Sequence, residues 1–143
     1  MADTFDPKFG SFVTFAFTLA NPDTGASGTN TYMTWGAGGV TNIAMPYAGS
    51  VVSLTVRSNA NVTGATVAFN PQKAGTPYAQ ASSLLTTLTT AAGASNVGYA
   101  NVRSGVLTFA AGDLIGVSYL TATNYAATTI DYDAVIVVQL NPT

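Results

Sequence analysis

The chain has no cysteine, no histidine and no glutamate, and its 143 residues include only four lysines or arginines and six aspartates. Without cysteine it has no disulfide framework, no thiolate nucleophile and no soft metal ligand. Without histidine it lacks the usual general base and the side chain that titrates near neutral pH. The charged fraction is 7%, against roughly 25% in an ordinary soluble domain. A net charge of −2 built on so few cations leaves no basic patch to neutralise nucleic-acid phosphates or to bind anionic lipid. No apolar run approaches the roughly 18 residues of a membrane-spanning helix. The opening MADTFDPKFGSF has neither a basic n-region nor an apolar h-region, so it does not read as a secretory signal.

Hydrophobic residues make up 48% of the chain, enough for one domain with a full core. The surface must then be built of Thr, Ser, Asn, Gln, Ala and Gly. So neutral a surface opposes association weakly, because net charge is what keeps proteins apart. Self-association or docking on a partner is the expectation.

Period-two alternation dominates. In SFVTFAFTLA, Val13, Phe15, Phe17 and Leu19 alternate with Thr14, Ala16 and Thr18, as in a half-buried strand. NPDTGASG (21–28) is turn chemistry, and TNTYMTW (29–35) reads as a second strand. SVVSLTVRS sets Val52, Leu54 and Val56 against Val51, Ser53, Thr55 and Arg57. ATVAFN puts Val67 and Phe69 on one face, and NPQKAGTP reads as a turn. SSLLTTLTT (82–90) is Thr-rich and reads as extended. GVLTFAAGD and LIGVSYLTAT supply two more strands. In the last, Ile130, Tyr132, Ala134, Ile136, Val138 and Leu140 share a face. From 134 to 138 both faces are apolar, so this strand is expected to be covered on both sides. No segment carries a helical stripe. About eight short strands separated by turns make an all-β, antiparallel β-sandwich or jelly roll over residues 12–143. Residues 1–11 lack alternation and read as an N-terminal arm.

Few groups could carry chemistry. Asp131 and Asp133 flank Tyr132 and share a strand face, where they could be solvated acids, part of a Ca²⁺ site completed by Asn124 or Thr129, or a glycosidase pair. Solvated acids is the plainest of the three. GAGGV (36–40) lacks the GxGxxG spacing and the following helix of a phosphate loop, so it is a turn. The NVT tripeptide at Asn61 fits a glycosylation acceptor by pattern alone. Exposed Tyr or Trp could stack on sugars, although core and interface anchoring is their commoner role. A transmembrane barrel fits poorly, because most of these strands are shorter than about 9–11 residues. No cofactor or metal is expected, and no catalytic residue stands out. Phe5 and Phe9, with Lys8 between them, lie outside any strand that would bury them and mark the arm as a docking segment. In LTFAAGDLIGVSYL, Gly112 can take φ > 0 and Asp113 can accept a bond from a nearby backbone N–H, so the pair defines a turn that launches the next strand.

PYAGSVVSLTVRSN, ATVAFNPQKAG and LTFAAGDLIGVSYLT together resemble a pattern found in trimeric jelly rolls, the C1q/TNF-like heads of spore-surface glycoproteins and phage structural proteins. The positions that carry it are Ala48 and Gly49, residues 57–59, 73–75 and 109–113. They span about half the chain, with a longer hairpin at NPQKAG and no collagen-like stalk before it. A stalkless, cysteine-free chain with an arm is most similar to the capsid decoration (cementing) proteins of phages, the auxiliary trimers of thermophilic long-tailed phages being the nearest type. That resemblance implies a non-enzymatic homotrimer on the outside of a virion, assembled in the host cytoplasm. Its partners would be itself and the major capsid protein, with no nucleic acid or membrane partner. Val117, Tyr119 and Tyr132 would pack about the threefold axis, and Phe5, Lys8 and Phe9 would dock on the shell or a neighbour. The alternative is a receptor- or glycan-binding knob of a fibre or spore coat.

Overall fold

In the computed structural model, placement is described for residues 11–20, 31–36, 39–60, 67–74, 76–77, 86–88, 97–101, 103–121 and 130–141. Among them there is no helix. The strands are β1 (Ser11–Leu19), β2 (Thr31–Tyr32), β3 (Ile43–Ala44), β4 (Gly49–Ser58), β5 (Val67–Lys73) and β6 (Thr76–Pro77). They continue with β7 (Thr86–Leu88), β8 (Val97–Asn101), β9 (Leu107–Phe109), β10 (Leu114–Thr121) and β11 (Tyr132–Leu140).

Two antiparallel sheets result. The first runs β1-β11-β4-β8, with β9 also on β4. The second is centred on β10 and β5, with β2 and β3 along β10 and with β6 and β7 along β5. Count β2 with β3, and β8 with β9, as single interrupted strands, and take β6 as the short return of the β5 hairpin. Eight strands then pair first with last, second with seventh, third with sixth and fourth with fifth. That is a long hairpin rolled into two sheets, the jelly-roll topology.

Alternation decides which side chains enter the layer between the sheets. Phe17 on β1, Leu54 and Val56 on β4, Phe69 on β5 and Ile136 on β11 are fully buried. The Phe69 and Tyr132 rings meet at 5.2 Å with a 51° tilt, one from each sheet, a geometry aromatic pairs favour.

Two expectations are corrected. The β4–β11 register shifts between Val137 and Val138, which oppose Ser53 and Val51. Val52 is the extra residue of a β-bulge, so Val51 rather than Val52 enters the core. NPQKAGTP is not wholly a turn, since β5 continues through Pro71 to Lys73. The ladder explains how a proline fits there. The Ala74 N–H donates to Leu114 C=O, so the even positions of β5 bond to β10 and the nitrogen of Pro71 faces the other way. On that side the β6 and β7 ladders reach residues 72–73 and 67–69, and among the described residues no strand pairs with position 71.

Candidate interaction surface

Among the described residues, the acidic side chains are each engaged structurally or sit at the surface. Gly112 has φ 85°, and Asp113 N–H donates to Ala110 C=O at 3.2 Å. A β-turn spanning residues 110–113 with glycine third is what that φ suits. The Asp113 carboxylate accepts the Ala110 N–H at 2.8 Å, and Lys73 Nζ lies 3.6 Å from the same oxygen. Two bonds with Met45, from Gly112 N–H to its carbonyl and from its N–H to Asp113 C=O, pin the turn to the end of β3. Resemblance positions far apart in sequence thus meet here, and Gly49 likewise lies opposite Phe109 in the β4–β9 ladder.

Asp131 and Asp133 are both exposed. The Asp131 carboxylate accepts Asn59 Nδ2 at 3.2 Å, while Asn59 Oδ1 accepts the Asp131 N–H at 3.0 Å. This reciprocal bracket fastens the start of β11 to the end of β4. Asp133 stands opposite Arg57 in the ladder. Among the described residues no group of three or more acidic, His or Cys side chains could hold a metal ion. Asn124, Thr129 and Asn61 lie outside the described residues, as do Phe5, Lys8 and Phe9 of the arm. The first described strand begins at Ser11.

Val117, Tyr119 and Tyr132, expected around a threefold axis, are only 0%, 4% and 1% exposed within a single chain. They belong to its own core and have no surface left for a neighbour. Alternation identifies an apolar face, but it does not say whether that face meets the opposite sheet or another molecule.

The surface that is open lies on the other side of the first sheet. The ladders align Ala16, Val135, Thr55 and Tyr99 in one row, and Thr14, Val137, Ser53 and Asn101 in the next. Neither row carries a charge. A third row holds Thr18, Asp133, Arg57 and Val97, with its acid facing its base. Tyr99 is 75% exposed and Phe12 66%, while Val135 and Val137 are half-buried. The outer face of β11, expected to be covered, is therefore open in the single chain. The available signal was the run from Ala134 to Val138, apolar on both sides; the alternation of VGYAN around Tyr99 was the second.

No protein-family model matches the chain, and no curated protein matches it by sequence. Among solved structures it is similar to a chain of the cyanophage Pam1 capsid asymmetric unit. The likeness covers 98% of this chain and 92% of that one, with a TM-score of 0.52 and 21% sequence identity. At that identity the comparison speaks to the fold.

Proposed function

We propose that the chain is a non-enzymatic structural protein of a virion, a homotrimer that sits on the outside of a viral capsid and stabilises the shell by contacting the major capsid protein. The observation that carries this reading is the nearly full-length likeness to a chain of a phage capsid asymmetric unit. The open, largely uncharged face of the β1-β11-β4-β8 sheet supports it. Association surfaces between identical chains are more apolar than ordinary surface and poor in charge at their centre, and the rows through Val135 and Val137 have that character. In this reading the subunits pack through that face, and Phe5, Lys8 and Phe9 of the arm reach the shell.

Co-sedimentation with capsids, together with light scattering of the free protein, tests both parts. The wild type should sediment with particles and scatter as a trimer, and Tyr99→Lys with Val135→Lys should scatter as a smaller species. Deleting residues 1–10 should leave the trimer intact and release it from particles. A monomer at micromolar concentration overturns the trimer, and unchanged particle binding by the truncated chain overturns the arm's role. Saturable binding to a glycan array without particle binding would favour a glycan-binding knob, for which half-exposed Trp35 and Tyr47 are the aromatic candidates.

A further inference from the structure

Strand β1 lies at the edge of its sheet. It is nine residues long, SFVTFAFTL, and pairs with β11 through an unbroken register from Ser11 opposite Leu140 to Leu19 opposite Tyr132. Proteins protect such edges with charge, proline, a bulge or short length. β1 has none of these devices. The opposite edge, β8, is five residues long and carries a glycine at its second position.

The direction of the unpaired backbone groups follows from one contact. Thr18 N–H donates to Thr34 C=O at 2.8 Å and Thr34 N–H donates back to Thr18 C=O at 2.9 Å. The backbone of Thr18 therefore points away from β11. In an antiparallel ladder this direction alternates with each residue. The N–H and C=O groups of Phe12, Thr14 and Ala16 therefore point outward too, while those of Val13, Phe15 and Phe17 bond to β11. Among the described residues, no strand other than β11 runs along β1, and Thr34 occupies only its far end. Beside this edge, Val13 and Phe15 face the core yet remain half-buried, whereas Phe17, one step from Thr18, is fully covered.

The geometry points to β1 as a strand-pairing site for β1 of a second copy, antiparallel about a twofold axis through Thr14. The occupant is argued from self-complementarity. With Thr14 opposite Thr14 of the second copy, Phe12 falls opposite Ala16, a large side chain against a small one on the outer face. On the core side Val13 falls opposite Phe15, and each covers the part the single chain leaves open. No charge lies anywhere on the strand, so no like charges face each other across the axis. The two four-stranded sheets become one continuous sheet. This pairing extends the sheet in its own plane, whereas the proposed trimer packs against its face. The side chains of Thr14 and Ala16 lie in rows of that same face, but pairing alone engages the outward backbone N–H and C=O groups, so amide protection at Phe12, Thr14 and Ala16 separates it from whatever the face docks on. If the chain trimerises, each trimer presents three such edges and pairing links trimers across twofold axes.

The test uses the full chain in sedimentation velocity over a concentration series, with hydrogen exchange on the same samples. In the wild type, the Phe12, Thr14 and Ala16 amides become protected as concentration rises. Those of Val13, Phe15 and Phe17 are protected throughout. Thr14→Lys and Thr14→Asp each weaken the association about tenfold, because like charges then face each other across the axis. An equimolar mixture of the two recovers it, since opposite charges now pair. Ala16→Pro is the second variant: the N–H it removes faces away from β11, so the chain keeps its ladder and only the added strand loses a donor. It lowers association while Val13 and Phe15 stay protected. The proposal is overturned if the wild type shows no concentration-dependent protection at those three amides. It is equally overturned if the charged variants associate like the wild type, or if their mixture fails to recover.

Discussion

The outer faces of the two sheets are opposites. On the sheet built around β10 and β5, the middle of that face is polar and covered, with Leu114 exposed at one end and Leu120 and Ala68 half-buried at the other. Asn70 and Ser118 are buried, Gln72 is fully so, and Gln72 Nε2 donates to Asn42 Oδ1 at 2.9 Å. The segment carrying Thr41 and Asn42 lies so close over Gly116 that a Cβ there would run into the Thr41 carbonyl and Gln72. On the β1-β11-β4-β8 sheet the face is richer in apolar groups and open, with Val135 and Val137 half-buried and Tyr99 projecting. A chain folding for itself alone would cover the apolar face first, since burial of apolar area is the main driving force. Here its own residues bury the amides of Asn70 and Gln72 and leave Val135 and Val137 only half-buried. The difference teaches that the open face owes its composition to something other than the stability of the single chain, and association is the physical use such a face has.

The sharpest way to break this comparison is to cut neighbouring residues of β11. Ile136→Ala empties core volume between the sheets and should cost about 2–5 kcal/mol in chemical denaturation. Val135→Ala, one residue away on the open face, should cost well under half of that in the dilute chain and show itself instead as weaker self-association in light scattering. Equal costs would mean that the two faces of β11 are covered alike. On the other sheet, Gly116→Ala should lower stability by about 1–3 kcal/mol, because the covering segment must shift to admit a methyl group; an unchanged thermal midpoint would show that this cover is loose. The turn holds both a comparable effect and the smallest one. Gly112→Val forces a β-branched residue to φ 85° and should cost about 1–3 kcal/mol. Asp113→Asn keeps the oxygen that accepts Ala110 N–H and loses only a half-exposed ion pair with Lys73, so it should stay within about 1 kcal/mol of wild type. Equal harm from both substitutions would give the charge of Asp113 a role beyond the turn.

Alternation in SFVTFAFTL and in residues 130–140 placed the core faces of β1 and β11, because a pleated strand turns every second side chain the same way. LTFAAGDL identified its turn because glycine is the residue that takes positive φ without strain. The bulge at Val52 was illegible. Val51 and Val52 are equally apolar, and only the register with Val137 and Val138 says which one enters the core. Pro71 misled for a related reason: proline ends a strand unless its nitrogen faces away from the ladder that holds it, and that direction is set only by the register of β5 on β10.

Sequence by itself determined that this is an all-β chain without cysteine or histidine chemistry, with a neutral surface and strands ending at glycine- and asparagine-rich turns. These properties follow from residue type and from a period of two, both of them local. Tertiary structure decided which apolar face became the core. It placed Val117, Tyr119 and Tyr132 inside and left Val135, Val137 and Tyr99 outside, because that choice depends on which strands lie opposite in the rolled hairpin. It also decided that β1 stands at an edge, with the backbone of Phe12, Thr14 and Ala16 facing outward. Strand order arises from contacts between distant parts of the chain, and no local pattern of residues records it.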